Sequence, residues 1–259
     1  MLRKVIGLAV MAMALSSAGA RAAEILRAAY EDVENAPYYM GNSVEIDAER
    51  PGISVEMMRE AAKRAGIEIK FVRMPWVRCL KSLERGEVDA IFNSSFKEDR
   101  LPLGVYPMAA GKPDHHRRID TITYALYRVK GGKVTFNGKA ITGLDGPVGA
   151  PAGYSILTDL KAMGVATEEA PDTVINFKKL ASGRIPAVAT HERIGDGLIA
   201  SGEFPNLEKV TPVLASKDYF VQVSHQLYGR KPELVERLWS HLAEVRDTLG
   251  PQLYAKYAK

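Results

Sequence analysis

The chain carries Leu-Glu-Arg-Gly-Glu-Val-Asp-Ala-Ile at residues 83–91 and repeats its pattern as Leu-Ala-Ser-Gly-Arg-Ile-Pro-Ala-Val at residues 180–188. In each copy an amphipathic run ends at a glycine, Gly86 or Gly183, that can adopt the left-handed conformation closing a helix. A short apolar run follows, which is typical of a buried strand. Two copies of one helix-to-strand joint predict two similar α/β lobes, with a ligand site between them.

The first copy lies in a predicted β-α-β-α-β unit. Ser54 can cap the first helix of this unit, and Pro75 suits the first turn of the second helix. Gly66 and Gly86 mark the ends of these helices. Right-handed crossovers then give a parallel sheet. The predicted strands are residues 25–30, 67–72 and 88–92.

The second copy lies in a smaller predicted α/β unit. Residues 121–129 alternate like a strand and are expected to cross into the second lobe, and residues 219–226 are expected to cross back. An apolar stripe that begins near Pro232 predicts C-terminal helices packed on the first lobe. The second lobe is predicted to hold strands at residues 148–150 and 185–190 and helices at residues 155–163 and 174–181.

The N-terminus has the pattern of a secretory signal peptide. Arg3 and Lys4 precede an apolar run at residues 5–15, and small residues then offer A-x-A cleavage sites. Eleven apolar residues are too few to span a bilayer, so a retained anchor is the less favoured alternative. We predict a soluble periplasmic protein after cleavage. The predicted domains are a signal peptide at residues 1–22, lobe 1 at residues 23–122 plus 224–259, and lobe 2 at residues 123–223.

Composition excludes several classes of function. The net charge of +4 includes three basic residues of the signal peptide, so the mature chain is nearly neutral and nucleic acid is not an expected partner. Cys79 is the single cysteine, which excludes an internal disulfide and a cysteine metal cluster. His115 and His116 point to opposite sides of an extended chain, so they do not form a metal pair. We predict no cofactor and no metal.

Several phrases together resemble the bacterial extracellular solute-binding proteins of family 3, which serve polar amino-acid ABC transporters. The resemblance covers essentially the whole mature chain. It implies a two-lobed type II, Venus-flytrap fold with two β-strand hinge crossings, which closes on one small solute and presents the closed form to a permease. The phrases are residues 51–56, 75–78 and 86–91 with Arg100 in the first lobe, and residues 148–155 and 183–188 with the C-terminal helices after them.

The resemblance implies ligand-binding residues in the first lobe. Arg100 stands where the family places an arginine that grips the ligand carboxylate, with its planar donors matching both oxygens. The alternative is a solvated loop arginine. Ser94 and Ser95 fall where relatives present hydroxyl and backbone donors, although this loop is one residue shorter and Lys97 replaces a frequent threonine.

Aromatic residues are further candidates for the first lobe. Trp76 follows Pro75 and could form an apolar wall, stack on a cation, or belong to the core. Tyr38 and Tyr39 occupy the loop that carries an aromatic lid in relatives, so at least one of them is expected to face the cleft. Arg78 is a weaker candidate, because its side chain could point either to the cleft or to solvent.

The second lobe supplies the remaining candidates. Tyr154 and Ser155 precede a helix whose N-terminus can hold an anion, and the absence of a second glycine argues against Ser155 as a hydrolase nucleophile. His191 stands where the family has an ammonium-binding aspartate, which imidazole replaces poorly. Glu31 and Glu192 are the two alternatives for the missing carboxylate.

The sequence therefore predicts a monomeric periplasmic binding protein that captures a small polar solute, amino-acid-like or carboxylate-bearing, and delivers it to an ABC transporter permease. No catalysis is expected. One alternative is a periplasmic dehydratase on the same scaffold, with Glu192 and His191 as an acid/base pair. The other alternative is a ligand sensor that docks to a membrane receptor.

Overall fold

The computed structural model describes residues 24–257, so the predicted signal peptide and its cleavage site lie outside the described residues. The strands are β1 (Glu24–Glu31), β2 (Ile67–Met74), β3 (Ala90–Ser95), β4 (Met108–Ala109), β5 (Lys112–Pro113), β6 (Asp120–Val129), β7 (Thr135–Phe136), β8 (Ile141–Thr142), β9 (Val148–Pro151), β10 (Thr167–Ala170), β11 (Ala187–His191) and β12 (Leu207–Val223). The helices are α1 (Ile53–Arg64), α2 (Trp76–Glu84), α3 (Ile156–Ala162), α4 (Thr173–Ala181), α5 (Glu192–Ala200), α6 (His225–Arg230) and α7 (Pro232–Tyr257), with 3-10 turns at Glu98–Leu103 and His115–Arg117.

Eight strands form one sheet in the order β10-β9-β11-β6-β12-β3-β1-β2. The three strands at each end are parallel to one another, whereas β6 and β12 pair antiparallel with their neighbours and join the two ends. Below, β1, β2 and β3 with α1, α2 and α7 are called the first lobe. The strands β9, β10 and β11 with α3, α4 and α5 are called the second lobe.

The connecting strand β12 belongs to both lobes. Its 17 residues pair with β6 over most of their length, and Tyr219–Val223 pair with β3. The ladder to β6 shifts register between Val210 and Ala215, which is a bulge of the kind that bends a strand. The predicted crossings at residues 121–129 and 219–226 coincide with β6 and with the end of β12. The residue boundaries of the two lobes stay a prediction.

The two glycines of the repeated pattern both end helices. Gly86 follows α2 with φ of 68°, and Gly183 follows α4 with φ of 75°, as a left-handed helix end requires. The prediction for the start of α1 is wrong. This helix begins at Ile53 after Gly52, and Ser54 is buried in its first turn, where its hydroxyl donates to Oδ1 of Asn93 rather than to the helix.

The core lies on both faces of the sheet. In the first lobe α7 packs against α1, and buried leucines of the predicted stripe, such as Leu238 and Leu242, contribute to that core. The C-terminal segment is the short α6 followed by one continuous 26-residue helix. Between residues 24 and 257 no helix is long and apolar enough to cross a membrane.

The sequence did not predict β10 and α5. The helix α5 begins directly after His191 and contains Gly195 and Gly197, which lower its intrinsic helix propensity. Gly195 has a packing reason: a Cβ there would lie 2.3 Å from the ring of Tyr127. The tyrosine belongs to a second core cluster around Phe177, between the sheet, α4 and α5.

Candidate ligand-binding site

A small cavity lies between the two lobes, where β1, β3 and β11 end. Ligands bind at the carboxyl ends of parallel strands in many α/β proteins. The space that the centre of a water molecule can reach inside it is about 10 Å³, roughly enough for one water. The two lobes are therefore closed on each other. The cavity is lined by Glu31, Tyr39, Trp76, Asn93, Ser95, Arg100, Tyr124, Tyr154, Ser155, His191 and Tyr219.

Arg100 is a buried cation at this cavity. It lies in the 3-10 turn after β3 and is 4% exposed. Its Nη1 donates to the carbonyl oxygen of Ser95 at 2.9 Å and to Oγ of Ser95 at 3.2 Å, and its Nη2 donates to the carbonyl of Gly153 at 2.8 Å. No carboxylate within the described residues pairs with it. Because a buried charge without a counter-charge is costly, this end of the cavity favours an anion.

Trp76 and Gly153 bring the two lobes into direct contact. The indole Nε1 donates to the Gly153 carbonyl at 3.3 Å, and the Trp76 ring centroid lies 5.5 Å from the guanidinium carbon of Arg100. Gly153 has φ of 72°, and a Cβ there would lie 3.3 Å from Cδ1 of Trp76 and 3.2 Å from Cγ2 of Val77. The positive φ favours glycine here, and a larger residue would also crowd Trp76 and Val77 of the other lobe.

Glu31 is the carboxylate of the cavity. It ends β1 in the first lobe and is 4% exposed. Its Oε2 accepts from the hydroxyl of Tyr39 at 2.8 Å and, across the lobe boundary, from the hydroxyl of Tyr154 at 2.6 Å. Burial raises the pKa of Glu31 from 4.5 to about 7, and the charges of Asp32 and Asp172 add to that, against the lowering effect of the two hydroxyls. This carboxyl group therefore exchanges a proton near neutral pH.

His191 is held as a neutral imidazole. It ends β11, and burial lowers its pKa from 6.5 to about 3. Its Nδ1 lies 3.0 Å from Nδ2 of Asn35, and its Nε2 lies 2.8 Å from the hydroxyl of Tyr219. Oδ1 of Asn35 also lies 3.4 Å from Nδ1, so the Asn35 amide can pair with this nitrogen in either tautomer of the imidazole. Both ring nitrogens are thereby occupied.

These contacts form one chain of hydrogen bonds across the cavity wall. Tyr39 connects Glu31 to Asn35 through a 3.1 Å bond, and at the other end Tyr219 lies 2.7 Å from the hydroxyl of Tyr124. The chain joins residues of β1, β6, β11 and β12, so it ties the two lobes to the strands that connect them. This network spans the boundary between the lobes in the closed structure and fixes the position of His191 through both ring nitrogens.

The structure brings most of the sequence candidates together. Two candidates lie elsewhere: Tyr38 packs beside Arg193 and Tyr254 at a neighbouring surface pocket, and Ser94 lies 2.8 Å from the hydroxyl of Tyr106 and donates to Gln222 at 3.1 Å. Ser94 and Ser95 are neighbours on β3, so their side chains point to opposite faces of the sheet. Tyr38 and Tyr39 lie in a turn, in which the backbone N–H of Tyr38 donates to the carbonyl of Asn35. The candidates that line the cavity are Tyr39, Trp76, Ser95, Arg100, Tyr154, Ser155 and His191.

Of the two alternatives for the missing carboxylate, Glu31 lines the cavity and Glu192 does not. The carboxylate of Glu192 accepts from Nζ of Lys209 at 2.9 Å on the outer side of α5. The acid/base pair of Glu192 and His191 is therefore not formed. Arg78 is exposed and also lies outside the cavity.

Sequence reasoning missed three residues of the cavity wall. Asn93 lies two positions before Ser95, and the two-residue period of a strand would have placed both on one face. Tyr124 and Tyr219 lie on the two predicted crossings, which necessarily pass the cleft. Between residues 24 and 257 no group of three His, Cys, Asp or Glu side chains could hold a metal ion.

Comparisons with known proteins agree with the predicted resemblance. The model of the bacterial extracellular solute-binding proteins, family 3, matches residues 32–101. No curated protein matches the chain significantly. Among solved structures, an ancestral arginine-binding protein bound to glutamine has a TM-score of 0.68 at 18% identity, covering 90% of this chain and 97% of that one.

Two further structures are similar over the same length. A histidine kinase sensor domain with similarity to periplasmic binding proteins has a TM-score of 0.70 at 18% identity, with 91% of this chain and 96% of that chain covered. An ancestral amino acid-binding protein, a precursor of cyclohexadienyl dehydratase, has a TM-score of 0.66 at 16% identity, with coverage of 91% and 96%. The family model confirms the predicted resemblance over residues 32–101, and the similar structures show that the fold is that of a type II periplasmic binding protein.

Proposed function

We propose that this chain is a periplasmic solute-binding protein that captures a small polar, carboxylate-bearing solute between its lobes and delivers it to an ABC transporter permease. The solute-binding fold and the match to an extracellular family support this proposal. Export by the signal peptide at residues 1–22, action as a monomer, and the lobe boundaries at residues 123 and 223 are parts of the same proposal.

The observation that carries the proposal is the position of Arg100. A buried guanidinium, unpaired with any carboxylate of residues 24–257, faces a cavity lined from both lobes. A solute carboxylate at this position would supply the counter-charge and would touch both lobes. The closed cavity has room for about one water, so the lobes would part to admit the solute and would close on it less tightly than they do here. Contacts with the solute from both lobes would then shift the population toward closure.

The test compares Arg100→Ala with Arg78→Ala, an exposed arginine outside the cavity. Mass spectrometry of small molecules released from the protein purified from cells identifies the solute, and calorimetry measures its affinity. We expect Arg100→Ala to cost about 2 to 5 kcal/mol of binding, as for a buried charge pair that loses one partner. Arg78→Ala should bind like the parent. Equal binding by both variants would remove Arg100 from the site.

A second candidate function is catalysis on the same scaffold. The specific observation in its favour is Glu31, a cavity carboxyl group with a pKa of about 7, which is suited to general acid or base chemistry at neutral pH. Incubation with prephenate or arogenate tests this alternative. Product formation that is lost in Glu31→Gln would establish that the protein is an enzyme. If no product forms and the solute still binds, the proposed function as a solute-binding protein is retained.

A further inference from the structure

The side chain of Asn93 has an incomplete set of hydrogen bonds. Asn93 lies in β3, two residues before the end of this strand, is 7% exposed and lines the cavity. Its Oδ1 accepts from the hydroxyl of Ser54 at 3.1 Å, whereas its Nδ2 is buried and has no partner within residues 24–257. A buried donor without an acceptor is costly, so an acceptor brought by a solute would be bound with a net gain.

The backbone and the first lobe hold this amide in one place. Asn93 has φ of 56°, in the left-handed region that asparagine tolerates better than most residues. Ser54, which fixes the Oδ1 end, is itself fixed in the first turn of α1, where its backbone N–H donates to the carbonyl of Tyr38 at 2.9 Å. The Nδ2 end is thus left for the cavity.

Glu31 is the one carboxyl group lining the cavity that an ammonium group could use. Its Oε2 already accepts two hydroxyls, and burial raises its pKa to about 7, which favours the uncharged acid over the carboxylate that an ammonium group needs. Both nitrogens of His191 are engaged. Arg100 contributes a positive charge and further donors. Apart from Glu31, the polar groups of the wall that still lack partners are therefore mainly donors, which favour oxygen acceptors on the solute.

We propose that Asn93 is a specificity-determining residue that donates a hydrogen bond to an oxygen close to the solute carboxylate, so that the cavity selects 2-oxo or 2-hydroxy acids over 2-amino acids. This inference rests on the proposed function and deepens it. The two oxygens must be close together because Arg100 and Asn93 line one small cavity.

The experiment uses matched sets of acids on one carbon skeleton, with the mature chain as the protein. Pyruvate, L-lactate and L-alanine form one set, and 2-oxoglutarate, 2-hydroxyglutarate and L-glutamate form the other. We expect the oxo or hydroxy member of one set to bind at least about tenfold more tightly than its amino member, the scale of one well-placed hydrogen bond. Thermal shift screens the panel, and calorimetry measures the dissociation constants.

Variants then connect the preference to Asn93. Asn93→Asp keeps the shape but replaces the donor by a carboxylate, and Asn93→Gly accommodates the backbone while removing the amide. Both should weaken binding of the preferred acid by about tenfold or more and narrow its advantage over the amino acid. Ser54→Ala, which releases the Oδ1 end, is the milder variant if these fold poorly. Ser82→Ala removes a buried hydroxyl of the same lobe outside the cavity. This variant should change neither the affinity for the preferred acid nor the ratio between that affinity and the affinity for the amino acid.

The outcomes separate this inference from the proposed function. If an amino acid binds most tightly, or if the Asn93 variants keep the parental preference, the inference is overturned and the binding protein stands. If a solute co-purifies but no acid of either set binds, the 2-oxo or 2-hydroxy class is wrong. If nothing co-purifies and nothing binds, the proposed function itself fails.

Discussion

At the scale of single residues, Gly153 is where the backbone of one lobe meets an aromatic ring of the other. We expect Gly153→Ala to weaken solute binding, because the new methyl group would lie 3.3 Å from Cδ1 of Trp76 and 3.2 Å from Cγ2 of Val77, and both side chains must shift slightly when the lobes close. Calorimetry with the co-purified solute measures the change. The matched control is Gly164→Ala, which imposes similar strain at φ of 74° in the same lobe and meets nothing within 4 Å. Similar losses in both variants would show that strain, not closure, is responsible.

Glu31 and His191 should make opposite contributions to the pH dependence of stability. Glu31 has a folded pKa of about 7 against 4.5, so the folded state binds more protons and its stability falls as pH rises through this window. His191 has a folded pKa of about 3 against 6.5, so the folded state binds fewer protons and its stability rises with pH through that window. The two slopes oppose each other between about pH 4.5 and 6.5.

Substituting one of the two residues should therefore leave the pH dependence of stability that the other residue causes. We expect the stability of Glu31→Gln to rise with pH more steeply than that of the parent between about pH 4.5 and 6.5, and the stability of His191→Gln to fall between about pH 4.5 and 7. Each slope is at most about 1.4 kcal/mol per pH unit for one titrating group. Urea unfolding across this pH range measures both. A parental pH profile in both variants would mean that neither group is shifted as described.

Individual residues also show which features of the site and the helix ends could be predicted from the sequence. The placement of Arg100 at the cavity could be predicted, because its position after a strand follows a family pattern. The helix ends at Gly86 and Gly183 could be predicted because they depend only on the local backbone conformation. The choice between Tyr38 and Tyr39 could not be made, since it depends on how their loop packs against Gly52, where a Cβ would lie 2.4 Å from the Tyr38 carbonyl oxygen. Such long-range contacts leave no periodic signal.

At the scale of elements, α5 and α7 connect the two lobes outside the cavity. The guanidinium carbon of Arg193 on α5 lies 5.3 Å from the ring centroid of Tyr254 on α7. An exposed cation–π contact is worth about 0.5 to 1 kcal/mol, so Arg193→Ala should weaken solute binding by about two- to fivefold. Calorimetry checks this, with Arg184→Ala, another exposed arginine of the second lobe, as the control. No difference between the two variants would exclude a closing role for this contact.

The helix α5 itself could not be predicted for a related reason. Its glycines are poor helix formers, and Gly195 is needed only because Tyr127 of a distant strand packs there. The C-terminal helix was predictable, because its apolar stripe is long and regular. The formation of α5 depends on tertiary contacts, whereas α7 is indicated by the local periodicity of its sequence.

At the scale of the whole molecule, β6 and β12 are the connections about which the lobes can move. We expect the mature protein to become more compact when its solute binds, with bending confined to residues 123–127 and 219–223. Small-angle scattering with and without saturating solute measures the radius of gyration. An unchanged radius, with binding verified in the same sample, would contradict hinge closure.

The first lobe is assembled from the two ends of the chain. The helix α7, which covers α1, and the end of β12, which pairs with β3, come from the last part of the sequence. A nascent chain therefore cannot complete this lobe until its final residues have been synthesised, even though β1, β2 and β3 emerge early. In the export proposed above, the chain would cross a membrane unfolded, and this late completion would keep it competent for translocation. Truncation at residue 231 should leave a chain that cannot complete its first lobe.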